Sequence, residues 1–475
     1  MRLSVLFAVM LVGTGGVSAQ TTPTERAAAG DILERIAALQ ERLAPAVHAR
    51  GLVGTRDADR DAVVDRAGAV WDSDMAALSD YIGRHPEVGW EEAATVDTVT
   101  AVLRGMGFEV TTGVADLATA FVAWWTSPAG AEGPALGLIG EYDALRDTRG
   151  PFHGDQHNAQ TPVAISAAAA LQAFMTRAGV AGTITIFGTP AEEVGPPAKT
   201  LMQHAGVFEG TDLLVRSHSA TETAAARAGF GVCCLNINEV RYIFTGRPSH
   251  QLTSWNGRNA LEAAVRFYTS VDGLRSTFRP EASIQGVIPE GGVAPNVVPE
   301  RAVVDYYIRY PDGVYLDHMT RMIDDAARGA ALATGTNVKI DRYGEFRDGL
   351  TLGTLEELYF AYAEALDAPR RNPERGRPAG YEETGGLSHD VPGIGVSVFS
   401  SRGTYHTHEM EEDALGPVGH TGFRLDAQIM AAILYDYLTD GGLRDRVVEE
   451  HRTLKRLLDE YHRRLEEAYA PEIAR

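Results

Sequence analysis

The chain has 475 residues, 44% of them hydrophobic and 23% charged, with a formal net charge of −21. That length exceeds one ordinary core and calls for two domains. The acidic balance excludes the basic surface that nucleic acid or an anionic membrane needs, and the two adjacent cysteines, Cys233 and Cys234, exclude a disulfide framework.

The N-terminal stretch MRLSVLFAVMLVGTGGVSAQTT joins a basic Arg2 to a short apolar run and a small-x-small ending at Val17-Ser18-Ala19. It reads as a secretory signal peptide over residues 1–19, so a periplasmic or secreted protein is expected. No later stretch is apolar for long enough to span a membrane.

Amphipathic periodicity predicts helices over about 24–49, 59–84 and 91–106. FEVTTGV, TAFVAWWT and ALGLIGEYDAL then read as strands, separated by turn residues. A helix is expected from about 160 to 178, followed by the strands GTITIF and DLLVRS. Strands alternating with helices imply an α/β sheet, and in such sheets functional groups gather beyond the strand C-termini.

The rhythm changes near residue 237. A strand, the helix GRNALEAAVRFYTSVDGL, two strands around a Gly/Pro-rich loop, a second helix and the strand TNVKIDRYGEF give a β-α-β-β-α-β order. That is the ferredoxin-like split unit, placed as an insertion. The expected organisation is a signal peptide at 1–19, a catalytic domain over 24–236 and 351–475, and an inserted lid or dimerisation domain over 237–350. Helices at about 418–438 and 442–469 close the chain.

Chemistry-bearing residues fall at predicted strand ends. HGDQHN places His153, Asp155 and His157 at alternate positions, which lie on one face of an extended segment. Imidazole and carboxylate suit zinc, manganese or cobalt. Glu192 and Glu193 stand side by side after TITIF, and two adjacent carboxylates are costly to bury without a cation. His218 follows VRS, and His406 and His408 lie in GTYHTHE. Any one of these fits an ordinary polar loop. Their joint placement at strand ends of one sheet does not. No G-x-S-x-G nucleophile elbow is present.

Taken together, RHPEVGWEE (84–92), GEYDAL (140–145), HGDQHN (153–158), GTPAEEVG (188–195), GRPSHQLTSWNGRNALEA (246–263), APNVVPERAVVDYYIR (294–309) and GTYHTHE (403–409) resemble the M20 family of metal-dependent amidohydrolases and peptidases. The resemblance is nearest to its aminobenzoyl-glutamate hydrolase-like and aminoacylase-type branch. It implies two divalent ions bridged by Asp155 and held by His157, Glu193, His218 and His406, with His408 as the alternative last ligand. It implies Glu192 as general base and Asp143 as the residue orienting a ligand, with His153 also behind the ligand shell. On the lid it implies His250 for the oxyanion and Asn296 for the substrate carboxylate, with Arg247 assisting.

The branch usually reads HGCGHN, so Asp155 replaces a bridging cysteine and Gln156 a glycine. The implied activity is cleavage of the amide of an N-acyl or N-aroyl amino acid or a small dipeptide, by a homodimer assembled through the inserted domain. A dipeptidase or carboxypeptidase is the alternative within the family. A catalytically silent ligand-binding protein is the alternative outside it.

Overall fold

The computed structural model describes residues 23–224, 236–372 and 384–473. The expected signal peptide and Cys233-Cys234 lie outside the described residues. The strands, in chain order, are β1 (Glu109–Thr112), β2 (Phe121–Thr126), β3 (Ala135–Glu141), β4 (Leu145–Arg146), β5 (Pro151–Phe152), β6 (Thr183–Thr189), β7 (Leu213–Ser217), β8 (Asn236–Thr245), β9 (Ser283–Glu290), β10 (Arg301–Tyr310), β11 (Asn337–Phe346) and β12 (Gly393–Val396).

Six strands form one sheet in the order β1-β2-β6-β3-β7-β12. β6, β3, β7 and β12 are mutually parallel, while β1 and β2 run antiparallel at one edge. The parallel strands are apolar nearly throughout (TITIF, ALGLI, LLV), as strands covered on both faces must be. The helix His157–Ala178 packs on β3 and is buried along most of its length, which explains its Ala-rich sequence. Its approach is close. A Cβ at Gly140 would stand 2.9 Å from Thr161 Cα, so only glycine lets the helix N-terminus come this near the strand.

The inserted unit is an antiparallel four-stranded sheet in the order β11-β8-β10-β9, with helices Ala260–Leu274 and Gly313–Thr334 on one face. This is the expected ferredoxin-like arrangement. Tyr242, Phe244, Phe267 and Tyr306 are buried between sheet and helices. The α/β sheet with an inserted ferredoxin-like domain is therefore the observed fold class.

Several boundaries differ from the sequence reading. The helix expected over 24–49 is broken twice: Pro23–Leu43 is kinked where Gly30 leaves helical geometry at φ 36, and Ala46–Gly54 starts anew after Pro45, which cannot continue a helix. Residues 58–84 form one helical run through a π-helical turn at Trp71–Met75. Helices Ala198–His204 and Gly353–Ala365 carry no clear signal in the sequence pattern. The strand expected around IGVSVF is short, Gly393–Val396, and the chain then runs as a loop to His406.

Candidate metal centre

The parallel strands deliver their C-terminal ends to one edge of the sheet. Asp143 follows β3, Glu192 and Glu193 follow β6, His218 follows β7, and the loop carrying His406 follows β12. Asp155 and His157 enter from the N-terminus of the long helix.

Asp143 organises the centre. Its Oδ1 lies 3.1 Å from His157 Nδ1, and its Oδ2 accepts the Glu193 amide N–H at 2.9 Å. With Nδ1 engaged, His157 presents Nε2, a buried atom that makes no hydrogen bond. Asp155, His157 and Glu193 each bring a donor atom to within 4.8 Å of the others, and so do Glu141, His157 and His218. His218 Nε2 stands 3.9 Å from Asp155 Oδ2, and His406 Nε2 stands 3.7 Å from the same oxygen and 3.5 Å from Glu193 Oε2. The five residues implied as ligands thus converge. Their carboxylate and imidazole donors, with a buried His157 Nε2 that makes no hydrogen bond and lies 3.4 Å from Glu141 Oε2, fit divalent ions.

The electrostatics describe a site built for positive charge. Burial pushes the Glu193 carboxyl up to about 7, with Asp155 and Asp143 adding repulsion that His157 and His406 offset only in part. Burial also works against charge on Asp155, yet His218, His406, His157 and the Ser219 hydroxyl hold it at about 2. Burial works against protonation of His157, but the Asp143 hydrogen bond and the Glu141 carboxylate outweigh it and raise its pKa.

Backbone strain is present here. Gln156, Ala191 and His406 all lie in the left-handed region, at φ 59, 52 and 63. Such conformations persist where surrounding contacts hold them. Gln156 shows how a side chain tolerates a position that glycine usually fills. Its Nε2 donates to the Ser400 and Met410 carbonyls at 3.2 and 2.9 Å, and its Oε1 accepts from Ser400 Oγ at 2.7 Å. The His406 amide donates to the Gly154 carbonyl at 2.9 Å, joining the last-ligand loop to HGDQHN.

His408 is committed elsewhere. Its Nε2 pairs with Asp147 Oδ2 at 2.9 Å, its Nδ1 with Glu411 Oε2 at 3.1 Å, and its ring packs on Phe152. His153 is buried, which depresses its pKa to about 3 and keeps it neutral, and it belongs to neither donor group. On the inserted domain, the exposed His250 sits on a loop bonded to its neighbour, with the Gln251 amide donating to the Asn296 carbonyl at 3.0 Å. Arg247 pairs its backbone with Arg258. Among the described residues, the hydrogen bonds of His250, Asn296 and Arg247 stay within the inserted domain and do not reach the centre.

Sequence reasoning missed a second tier of side chains. Glu141 is fully buried, with Lys199 Nζ at 2.7 Å, His157 Nε2 at 3.4 Å and Arg216 Nη1 at 3.7 Å. Burial opposes its charge, but Lys199, His157 and Arg216 hold its pKa well below the usual carboxylate range. Ser219 hydrogen-bonds Asp155, and Glu92 accepts the Ala191 amide. Nothing in local spacing marks these residues, because their partners are distant in the chain.

A family profile described as the peptidase dimerisation domain of M20 proteins matches residues 231–334. The chain is 31% identical over 334 residues to the Xaa-Arg dipeptidase of Mus musculus, covering 67% of this chain and 75% of that protein. It is 30% identical over 335 residues to a p-aminobenzoyl-glutamate hydrolase polypeptide of Escherichia coli strain K12, covering 67% and 65%. Among solved structures it shares its fold with an aminobenzoyl-glutamate utilization protein from Klebsiella pneumoniae (TM-score 0.60, 19% identity, 80% of this chain and 99% of that one). It also shares it with a dinuclear metal-binding M20 peptidase from Bacillus subtilis (TM-score 0.54, 17% identity, 78% and 98%). With this fold, this donor set and these relatives, the chain belongs to the M20 family and is a metal-dependent hydrolase of amide bonds.

Proposed function

We propose that the protein hydrolyses the amide of N-acyl or N-aroyl amino acids or small dipeptides, using two divalent ions held by Asp155, His157, Glu193, His218 and His406. The observation that carries this reading is the convergence of those five side chains, with donor atoms of Asp155, His157 and Glu193 within 4.8 Å of one another and His218 and His406 Nε2 at 3.9 and 3.7 Å from Asp155 Oδ2. When bound, the ions would polarise the scissile carbonyl and acidify the attacking water.

Glu192 takes that water's proton and passes it to the departing amine nitrogen. Asp143 keeps the His157 ring turned and the Glu193 backbone seated. His250 stabilises the oxyanion and Asn296, aided by Arg247, takes the substrate's carboxylate. The named activities of the relatives, a dipeptidase and an aminobenzoyl-glutamate hydrolase, support both the aroyl-amino-acid and the dipeptide readings.

The chain works as a homodimer. Support comes from the dimerisation-domain match and from the edge strand β9, where Val287 and Ile288 are exposed. The N-terminal residues 1–19 support export to the periplasm or beyond, and no described helix is long and apolar enough to cross a membrane.

The test is amine release from a panel of N-acyl amino acids, aroyl-glutamates and dipeptides, with and without chelator, beside elemental analysis. Turnover of at least one class, abolished by chelator and restored by zinc, manganese or cobalt at about two ions per chain, is expected. Activity untouched by chelator overturns the metal reading. A metal-loaded protein inert on the whole panel favours a silent ligand-binding protein.

A further inference from the structure

We propose that Glu92 is a positioning residue whose carboxylate, by fixing the backbone at Ala191, sets the direction of the Glu192 side chain. The inference rests on the reading of Glu192 as the general base. Glu92 is fully buried, and its Oε1 accepts the Ala191 amide N–H at 2.8 Å. Ala191 sits at φ 52, in the left-handed region where a residue with a Cβ is strained. Such a conformation does not hold itself, so a contact from outside the loop must hold it.

On the far side of Glu192, the Glu193 amide donates to Asp143 Oδ2 at 2.9 Å. Glu192 is therefore bracketed by two backbone amides, each tied to a buried carboxylate from a different segment. Tethers on both flanking peptides leave the Cα–Cβ direction of the intervening residue little freedom.

The rest of the Glu92 segment forms a seat for the same loop. A Cβ at Gly89 would stand 2.4 Å from Val194 Cγ2 and 2.9 Å from Ala191 Cα, so the loop lies directly against residue 89. The seat is itself anchored. The Ala144 amide donates to the Glu87 carbonyl at 2.8 Å, and Val88 bridges to Ala144. The Glu87 side chain accepts from the Ala94 and Thr95 amides at 3.1 and 2.7 Å, at the start of the helix Ala93–Gly105. One short segment thus braces the chain beside Asp143 and the loop of Glu192 together.

The functional consequence follows from what each glutamate must do. A ligand such as Glu193 is held by its own backbone bond to Asp143 as well as by any ion it binds. A base must meet its proton at a set distance and angle, so a misplacement of about 1 Å costs on the order of 100-fold in rate. Loosening the brace should therefore lower kcat while leaving KM and metal content in place.

Three variants test this beside Glu192→Gln, with kcat, KM, metal content and melting temperature measured for each on the panel's best substrate. Glu92→Gln keeps an acceptor oxygen for the Ala191 amide. Glu92→Leu removes it. Gly89→Ala leaves Glu92 intact and displaces the loop from its other contact. Expected are kcat losses of about 10- to 100-fold in Glu92→Leu and Gly89→Ala, with KM within about 3-fold and metal content unchanged, and near-normal turnover in Glu92→Gln.

Full kcat in Gly89→Ala or Glu92→Leu overturns the proposal, as does loss of metal in either or a Glu92→Gln defect as deep as that of Glu92→Leu. If Glu92→Leu does not fold, Gly89→Ala and Glu92→Gln decide. An active Glu192→Gln would instead overturn the base assignment. An inactive Glu192→Gln beside fully active brace variants overturns only the bracing.

Discussion

At position 155 a carboxylate stands where the resembled branch has a cysteine, and its surroundings are arranged to keep it charged. Ser219 donates to Oδ1, leaving Oδ2 toward His218 and His406. Two cations close together repel strongly unless negative charge lies between them. Asp155→Asn should therefore lose at least one ion and nearly all activity, and Asp155→Cys should recover part of it with a shift toward softer metals. Full metal occupancy in Asp155→Asn, read by elemental analysis, would sink the bridging role. The neighbouring glutamates separate in the same way. Glu192→Gln should keep the metals and lose about 100- to 10,000-fold in turnover, whereas Glu193→Gln should weaken metal binding. Equal metal loss in both, with Glu192→Gln still active, would reverse the assignment. Glu193 and His218 could be read from the chain because each follows an apolar strand, and Asp155 and His157 because they alternate just ahead of the Ala-rich helix. Glu141, Lys199, Ser219 and Glu92 could not, because a buried carboxylate or lysine takes its meaning from a partner in another element.

Elements were legible in proportion to how strictly their burial is patterned. The parallel strands and the βαββαβ unit could be read because a two-sided core demands continuous apolar runs and a one-sided sheet demands alternation. Boundaries failed where local chemistry competes. The first helix stops at Leu43 for Pro45, while the next runs to Gly54, where the Thr55 amide bonds to the Gly51 and Leu52 carbonyls. The helix Gly353–Ala365 lacks a visible start. Its first amides, Gly353 and Thr354, are held by Glu450 at 2.7 and 2.9 Å, a residue almost a hundred positions away. A cap supplied across the fold leaves no trace beside the helix in sequence.

Across the whole molecule, the inserted domain meets the catalytic loop through Glu239. A Cβ at Gly195 would lie 2.7 Å from Glu239 Oε2 and 2.8 Å from Tyr343 Cε2, so the lid sheet rests on the residues just past Glu193. Glu239 is 3% exposed, and burial pushes its carboxyl up to about 7, aided by Asp305. Because the folded pKa exceeds the unfolded one, the stabilising protonated form is fully present below about 4.5 and is lost as pH rises toward 7. Glu239→Gln should remove that loss. The variant should match wild type more closely at pH 5 and exceed it at pH 8, by at most roughly 3 kcal/mol. Melting curves at both pH values check this, and an unchanged gap between wild type and variant would exclude Glu239 as the source.

Sequence alone determined the fold class, the insertion and the donor types at the centre, because apolar periodicity and ligand chemistry are written locally. Only the tertiary structure decided that His406 faces Asp155 and Glu193 while His408 pairs with Asp147 and Glu411. It also decided that Gln156 can hold a glycine's conformation, and that Glu92 and Asp143 bracket Glu192. These outcomes depend on which buried groups from distant segments meet, and a buried polar group must find its partner wherever the fold brings one.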